Sequence, residues 1–263
     1  MTTLTNDALL AVADRMGVQT LPVVLDVGPQ QDSYEEWQAA RERAVIELTA
    51  AGVFDIEGDV DAETGQALFV LAQPDRELVA RGFAEDRTLR LCLARRGEQH
   101  ALAVRCGDSF EIATIWCDGS AEALARPLLE ALGPAEAAEV AGFSAPADEL
   151  AGRLDTAETT GDFADAIHAL GVGDHDATVL AAAFSSCQGF TEIVAYSHKD
   201  GLSTRAPGAV AVYDTDRGRL AAAPTVSPDR QIWSTVTTGS DHRVTQAIAT
   251  LLEGLPGGRW LTP

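Results

Sequence analysis

From Leu93 to Cys106 the chain reads LARRGEQHALAVRC, directly after Cys92. Two thiols, one imidazole and the Glu98 carboxylate therefore fall on one short stretch. A thiol beside an imidazole is the start of a nucleophilic centre, provided that a third group orients the base and donors await an oxyanion. The spacing points elsewhere. Leu89, Leu91 and Leu93 alternate with Arg90, Cys92 and Ala94, and Leu102, Val104 and Cys106 alternate with Ala101, Ala103 and Arg105. Two alternating runs around a polar, Gly97-bearing break read as a hairpin. Cys92 and Cys106 are then small apolar residues on a pleat, and His100 is a solvated turn residue.

Other chemical candidates reduce in the same way. Asp174-His175-Asp176 has metal-ligating side chains, but at a helix start an aspartate is a cap and His175 is exposed. Asp214-Thr215-Asp216-Arg217-Gly218 opens like a calcium loop, yet lacks the distal glutamate and sits between two alternating strands. It reads as a hairpin turn. Gly171-Val172-Gly173 lacks the third glycine and the preceding strand of a dinucleotide fingerprint. Cys92, Cys106, Cys117 and Cys187 form no C-x-x-C pair, so no zinc site is expected and buried, reduced thiols are. His168 and His242 are expected to be solvated on helices. No catalytic residue, cofactor or metal is expected.

The elements that carry these residues follow from period and punctuation. Thr5 caps a helix with Leu9, Val12, Ala13 and Met16 on its apolar face, stopped by Gly17. Residues 22–27 read as a short extended segment. Ser33 with Glu36 opens a second helix, and residues 62–71 form a third before Pro74. Strands are expected near 77–84, 88–94, 99–106 and 109–117. A helix then runs from Gly119-Ser120 to Leu132. After Pro134 the order returns: helices near 147–154, 162–170 and 175–185, strands near 192–197, 209–213, 219–223 and 231–238, and a helix from Gly239-Ser240 to Leu255. The closing helices, LLEALGP and LLEGLPG, each follow a GS step. The expected fold is α+β: one domain over 1–263 built from a duplicated unit, with pseudo-repeats 1–134 and 135–263 related by a rough two-fold. Its two meanders form a central antiparallel sheet, with helical bundles from the N-terminal and C-terminal halves on its flanks.

Composition narrows the partners. With 263 residues the chain can bury a core without staples. Its 19 cations against 40 acids give a net charge of −21, a field that opposes nucleic acid and anionic membranes. Lys199 is the single lysine. No basic leader or long apolar run is seen, so a cytoplasmic protein without membrane insertion is expected.

Four stretches together resemble one family: the opening LTNDALLAVADRMGV, then LARRGEQHALAVRCGD, VAVYDTDRGR and LLEGLPGGRW. The chain resembles the EspG proteins, cytosolic chaperones of the type VII (ESX) secretion systems of actinobacteria. The resemblance implies the same fold: a quasi-two-fold antiparallel sheet with two helical bundles. It implies a PE–PPE heterodimer as partner, bound at the apolar tip of the PPE subunit, kept soluble and directed to a secretion system; it allows a weak homodimer. By position, the cargo surface would fall on the helix 177–185, the strand 193–197 and the loop 199–208. The residues so implicated are Thr178, Ala181, Ala182, Phe184, Ser185, Ala195, Ser197, Lys199, Ser203 and Arg205. Arg205 stands where a basic residue often precedes the second meander in this family. The residues alone leave two rivals: a small-molecule sensor with an apolar cavity between its repeats, and an enzyme with a deep pocket of perturbed carboxylates.

Overall fold

The computed structural model describes residues 1–85 and 87–261. They form a mixed α/β fold with a large antiparallel sheet and, among the described residues, eight α-helices. The chain divides into two compact units. The first comprises Met1–Ala80, Thr88–Cys117 and His198–Gly201. The second comprises Arg81–Arg87, Asp118–Ser197 and the chain from Leu202 onward.

The first unit opens on β1 (Thr2–Thr5), which sequence period did not reveal, and then α1 (Asn6–Arg15). Thr5 caps α1, its hydroxyl accepting from the Ala8 N–H at 3.3 Å. Helix α2 (Tyr34–Ala50) is capped by Ser33, and α3 (Ala62–Ala72) by Asp61. The strands are β2 (Arg76–Ala84), β3 (Arg87–Arg96), β4 (Gln99–Cys106) and β5 (Ser109–Ile115). The order is β1-β5-β4-β3-β2. Ala67, Leu68, Val70 and Leu71 bury one side of α3, which lies against β4 and β5. The turn after β3 is a hairpin as expected, with Leu91 opposite Val104.

Four expectations in this unit change, the last of them together with Cys187 of the second unit. Strand β3 is buried on both faces: Leu91, Cys92, Leu93 and Ala94 are all at 0% exposure. Residues 22–28 hold a 3₁₀ turn (Val23–Leu25) rather than an extended run. Arg90 donates to the Val24 carbonyl at 3.2 Å and Arg105 to that of Leu25 at 2.8 Å. Arg90 also pairs with Asp26 at 2.9 Å. His100 is buried at 3% rather than solvated, because it lies inside the ladder opposite the equally buried Arg95. Cys92 and Cys117 are buried thiols, whereas Cys106 and Cys187 are exposed, each at the end of a strand where cover runs out.

The second unit contains α4 (Ala121–Leu132), β6 (Phe143–Pro146), α5 (Ala147–Leu154), α6 (Thr160–Ala169), α7 (Asp174–Phe184), β7 (Cys187–Lys199), β8 (Leu202–Arg205), β9 (Val210–Thr215), β10 (Gly218–Val226), β11 (Ile232–Thr238) and α8 (Asp241–Glu253). The strand order is β7-β9-β10-β11-β6, and β8 pairs with β7. Strands β6 and β8 went unforeseen. Ser120 and Ser240 cap α4 and α8, which pack side by side. Thr159 and Asp162 make a reciprocal capping box at α6. Leu150, Ile167, Leu180, Ala181 and Phe184 from the helices meet Leu220, Ala222 and Val236 from the sheet in one core. Each of these leucine, isoleucine and phenylalanine side chains contributes about 1.5–3 kcal/mol by leaving water.

Candidate partner-binding groove

Helix α7 has two faces of different character. Asp174 and Asp176 in its first turn suit the helix dipole, and the Thr178 hydroxyl donates back to the Asp174 carbonyl at 2.8 Å. One face buries Ala177, Leu180, Ala181, Ala183 and Phe184. Phe184 anchors it, stacked on Phe163 of α6 with ring centroids 6.4 Å apart and edge-on to Tyr213 of β9 at 5.1 Å. Burial of Tyr213 pushes its hydroxyl up to about 12, so it stays protonated. The other face leaves Thr178 exposed and Val179 and Ala182 half-buried.

Opposite that face runs the segment Ala137–Val140, which is pinned to β10. The Arg219 N–H donates to the Glu136 carbonyl at 2.7 Å, and the Ala138 N–H donates to the Arg219 carbonyl at 3.0 Å. Gly218 permits the approach. It has φ +103°, and a Cβ there would stand 2.7 Å from the Ala138 nitrogen. The Arg219 guanidinium is buried and donates to Asp214 at 2.6 Å and to the Leu132 carbonyl at 3.5 Å. Between segment and helix lies a groove of about 480 Å³. Val140, Val179 and Ala182 give it an apolar lining, while Thr178, Glu139 and Arg217 supply polar groups.

The residues implicated by resemblance differ in exposure. Thr178 and Ala182 line the groove. Ser185 is exposed at the end of α7, where its hydroxyl accepts from Thr160 at 3.0 Å. Ala181, Phe184 and Ala195 are buried at 0, 5 and 0% and offer no surface, because they face the core under the helix and strand. On β7, Ser197 is half-buried and Lys199 exposed, the latter in the first unit. Ser203 and Arg205 are exposed on β8, a strand where a loop was expected. Arg205 pairs with Glu192 at 3.1 Å. Sequence reasoning passed over Glu139, Val140 and Arg217, which share the groove. The one available sign was a lone arginine in the acid-flanked turn DTDRG.

The first unit holds a cluster that resembles catalytic machinery. The Cys92 thiol donates to one Glu77 oxygen at 3.5 Å, and the other Glu77 oxygen meets His198 Nε2 at 2.7 Å. Burial, and the Glu77 charge after it, push the Cys92 thiol well up, so the thiolate a nucleophile needs is disfavoured. Burial and the neighbouring Arg95 lower the pKa of His100. Among the described residues no cluster of His, Cys, Asp and Glu is arranged to hold a metal ion, and no helix is long and apolar enough to cross a membrane.

Comparison with known proteins is consistent along the chain. The family model described as EspG family matches residues 5–250. The ESX-1 secretion-associated protein EspG1 of Mycobacterium tuberculosis is 30% identical over 98% of this chain and 88% of its own length. The ESX-3 secretion-associated protein EspG3 of Mycolicibacterium smegmatis is 28% identical over 98% and 88%. The structure of M. tuberculosis EspG5, a type VII secretion system chaperone solved in complex with the PE25–PPE41 dimer, shares the fold with a TM-score of 0.81. It covers 99% of both chains at 18% identity.

Proposed function

The chain belongs to the EspG family, and from that membership we propose that it is a cytosolic chaperone of PE–PPE heterodimers, a binding protein rather than a catalyst. It covers the apolar helical tip of the PPE subunit, keeps the dimer soluble and assigns it to one type VII secretion system. The observation that carries the reading is the whole-length agreement in fold with a chaperone captured on a PE–PPE dimer. The groove along α7 adds a physical means. An exposed apolar tip is an aggregation hazard, and a helical tip buries well in an apolar groove. Thr178, Ala182 and Ser185 at α7, with Ser197 on β7 and Ser203 and Arg205 on β8, form the contact surface in this reading. Ala181, Phe184 and Ala195 hold that surface in place.

The test is co-expression with the PE–PPE pairs of the same genome, followed by size-exclusion chromatography and calorimetry. At least one pair is expected to elute with the chain as a soluble complex. If every pair elutes alone or aggregates whether or not the chain is present, the reading is wrong.

A further inference from the structure

Arg217 stands at the rim of the α7 groove with its charge unspent. In the same unit Arg153 pairs with Glu149, Arg205 with Glu192 and Arg219 with Asp214, while the exposed Arg126, Arg230, Arg243 and Arg259 share with Arg217 the lack of an ion pair among the described residues; Arg217 differs in lining the groove. Arg217 makes no ion pair among the described residues, although two aspartates stand one and three residues before it. Both are engaged elsewhere: Asp214 accepts from Arg219 at 2.6 Å, and Asp216 accepts from the Gln188 amide. The turn itself is braced. The Arg217 N–H donates to the Thr215 hydroxyl at 3.1 Å, and that hydroxyl donates to the Gly218 carbonyl at 2.6 Å. The remaining charge on the lining is Glu139, which lies beyond ion-pairing distance of Arg217. The groove therefore offers a cation, an apolar floor of Val140, Val179 and Ala182, and a carboxylate.

We infer that Arg217 selects the partner: it receives a carboxylate on the helical tip, while the apolar floor receives the aliphatic side chain beside it. This rests on the chaperone reading above. Charge decides for an acidic contact. A chain of net charge −21 repels acidic partners at a distance, and Arg217 is the cation on the groove lining, so an acid docking there meets it in the groove. A guanidinium also holds a carboxylate in two-point geometry, which fixes register as an apolar patch cannot. Arg205, the arginine indicated by family position, already has Glu192.

The experiment uses the full chain and the PE–PPE heterodimer that co-elutes with it. Affinity is measured for wild type, Arg217→Ala, Arg217→Lys and Arg217→Glu, with melting temperatures as a control on folding. Arg217→Glu is expected to weaken binding roughly thirtyfold or more, as for a desolvated charge pair. Arg217→Ala falls between, Arg217→Lys retains part of the affinity, and the salt dependence of binding is shallower in Arg217→Ala than in wild type. Reversing one acidic residue of the tip to arginine restores binding to Arg217→Glu. Equal affinity of wild type and Arg217→Glu overturns the inference while leaving the chaperone reading standing. Loss of binding that no reversed acid restores overturns the carboxylate assignment. Failure of wild type to bind any pair overturns the chaperone reading itself, and this inference with it.

Discussion

Gly218→Ala probes the wall of the groove, and Gly171→Ala supplies its control. Both glycines hold φ in the left-handed half of the map, at +103° and +91°. Alanine at either position meets torsional strain of about 1–3 kcal/mol. At Gly171 the added methyl enters open space, whereas at Gly218 it would lie 2.7 Å from the Ala138 nitrogen and 2.9 Å from the Ala137 carbonyl carbon. Backbone cannot swing aside like a long side chain, so overpacking adds about 1–3 kcal/mol at Gly218 alone. Gly218→Ala should therefore cost about 4 kcal/mol and Gly171→Ala about 2. For a chain of this size each kcal/mol lowers Tm by roughly 2–4 °C. Differential scanning fluorimetry of both variants should show a deficit at Gly218 about twice that at Gly171. If the variant relaxes by moving the 137–140 segment instead, its Tm recovers and partner affinity falls. Equal Tm losses at the two glycines, with unchanged binding, would refute the close approach that builds the wall.

Phe184→Ala removes the aromatic anchor under α7 and should cost about 3–5 kcal/mol, while partner affinity falls only as far as the helix shifts; urea titration and calorimetry separate the two. His100 is buried with a lowered pKa, so it opposes protonation more strongly when folded than when unfolded. Its contribution is complete above the unfolded value of about 6.5 and is lost as pH falls through the folded value. Tm should decline below about pH 6.5, and less in His100→Gln; identical pH profiles would dismiss this origin. The Arg205–Glu192 pair is about half exposed on both sides, so a double-mutant cycle on the free protein should give a coupling of about 0–1 kcal/mol. A larger coupling would mean that the pair braces the β7–β8 hairpin.

Local rules made most of the scaffold legible. Thr5, Ser33, Ser120 and Ser240 cap helices where their spacing placed them, and both meanders follow from period-two runs. The missed strands are all four residues long. TTLT, FSAP and LSTR acquire strand geometry by pairing with β5, β11 and β7, and pairing partners are invisible to a local pattern. Each of β1 and β6 leads into a helix and pairs with the last strand of its meander. That shared order supports our proposal that the chain is one duplicated domain with pseudo-repeats 1–134 and 135–263. His100 was misplaced because nearness to a turn does not settle what covers a strand end. The family position brought Thr178 and Ala182 to the groove, but could not tell that Ala181 and Phe184 turn inward. Arg217 was hidden in a motif read only as a turn, since its importance depends on which distant groups occupy its neighbours.

The composition of the first unit has a consequence for synthesis on the ribosome. That unit takes in His198–Gly201, where the His198 N–H donates to the Asp75 carbonyl at 2.8 Å and its ring meets Glu77. The first unit's other strands have emerged by Cys117, and about 80 residues must still be translated before His198 arrives. At about 5–20 residues per second the nascent chain waits roughly 4–16 s with that flank of β2 bare. A bare strand flank is an invitation to pair with a neighbouring chain. On a polysome, the neighbouring nascent chain is the strand nearest to that open flank.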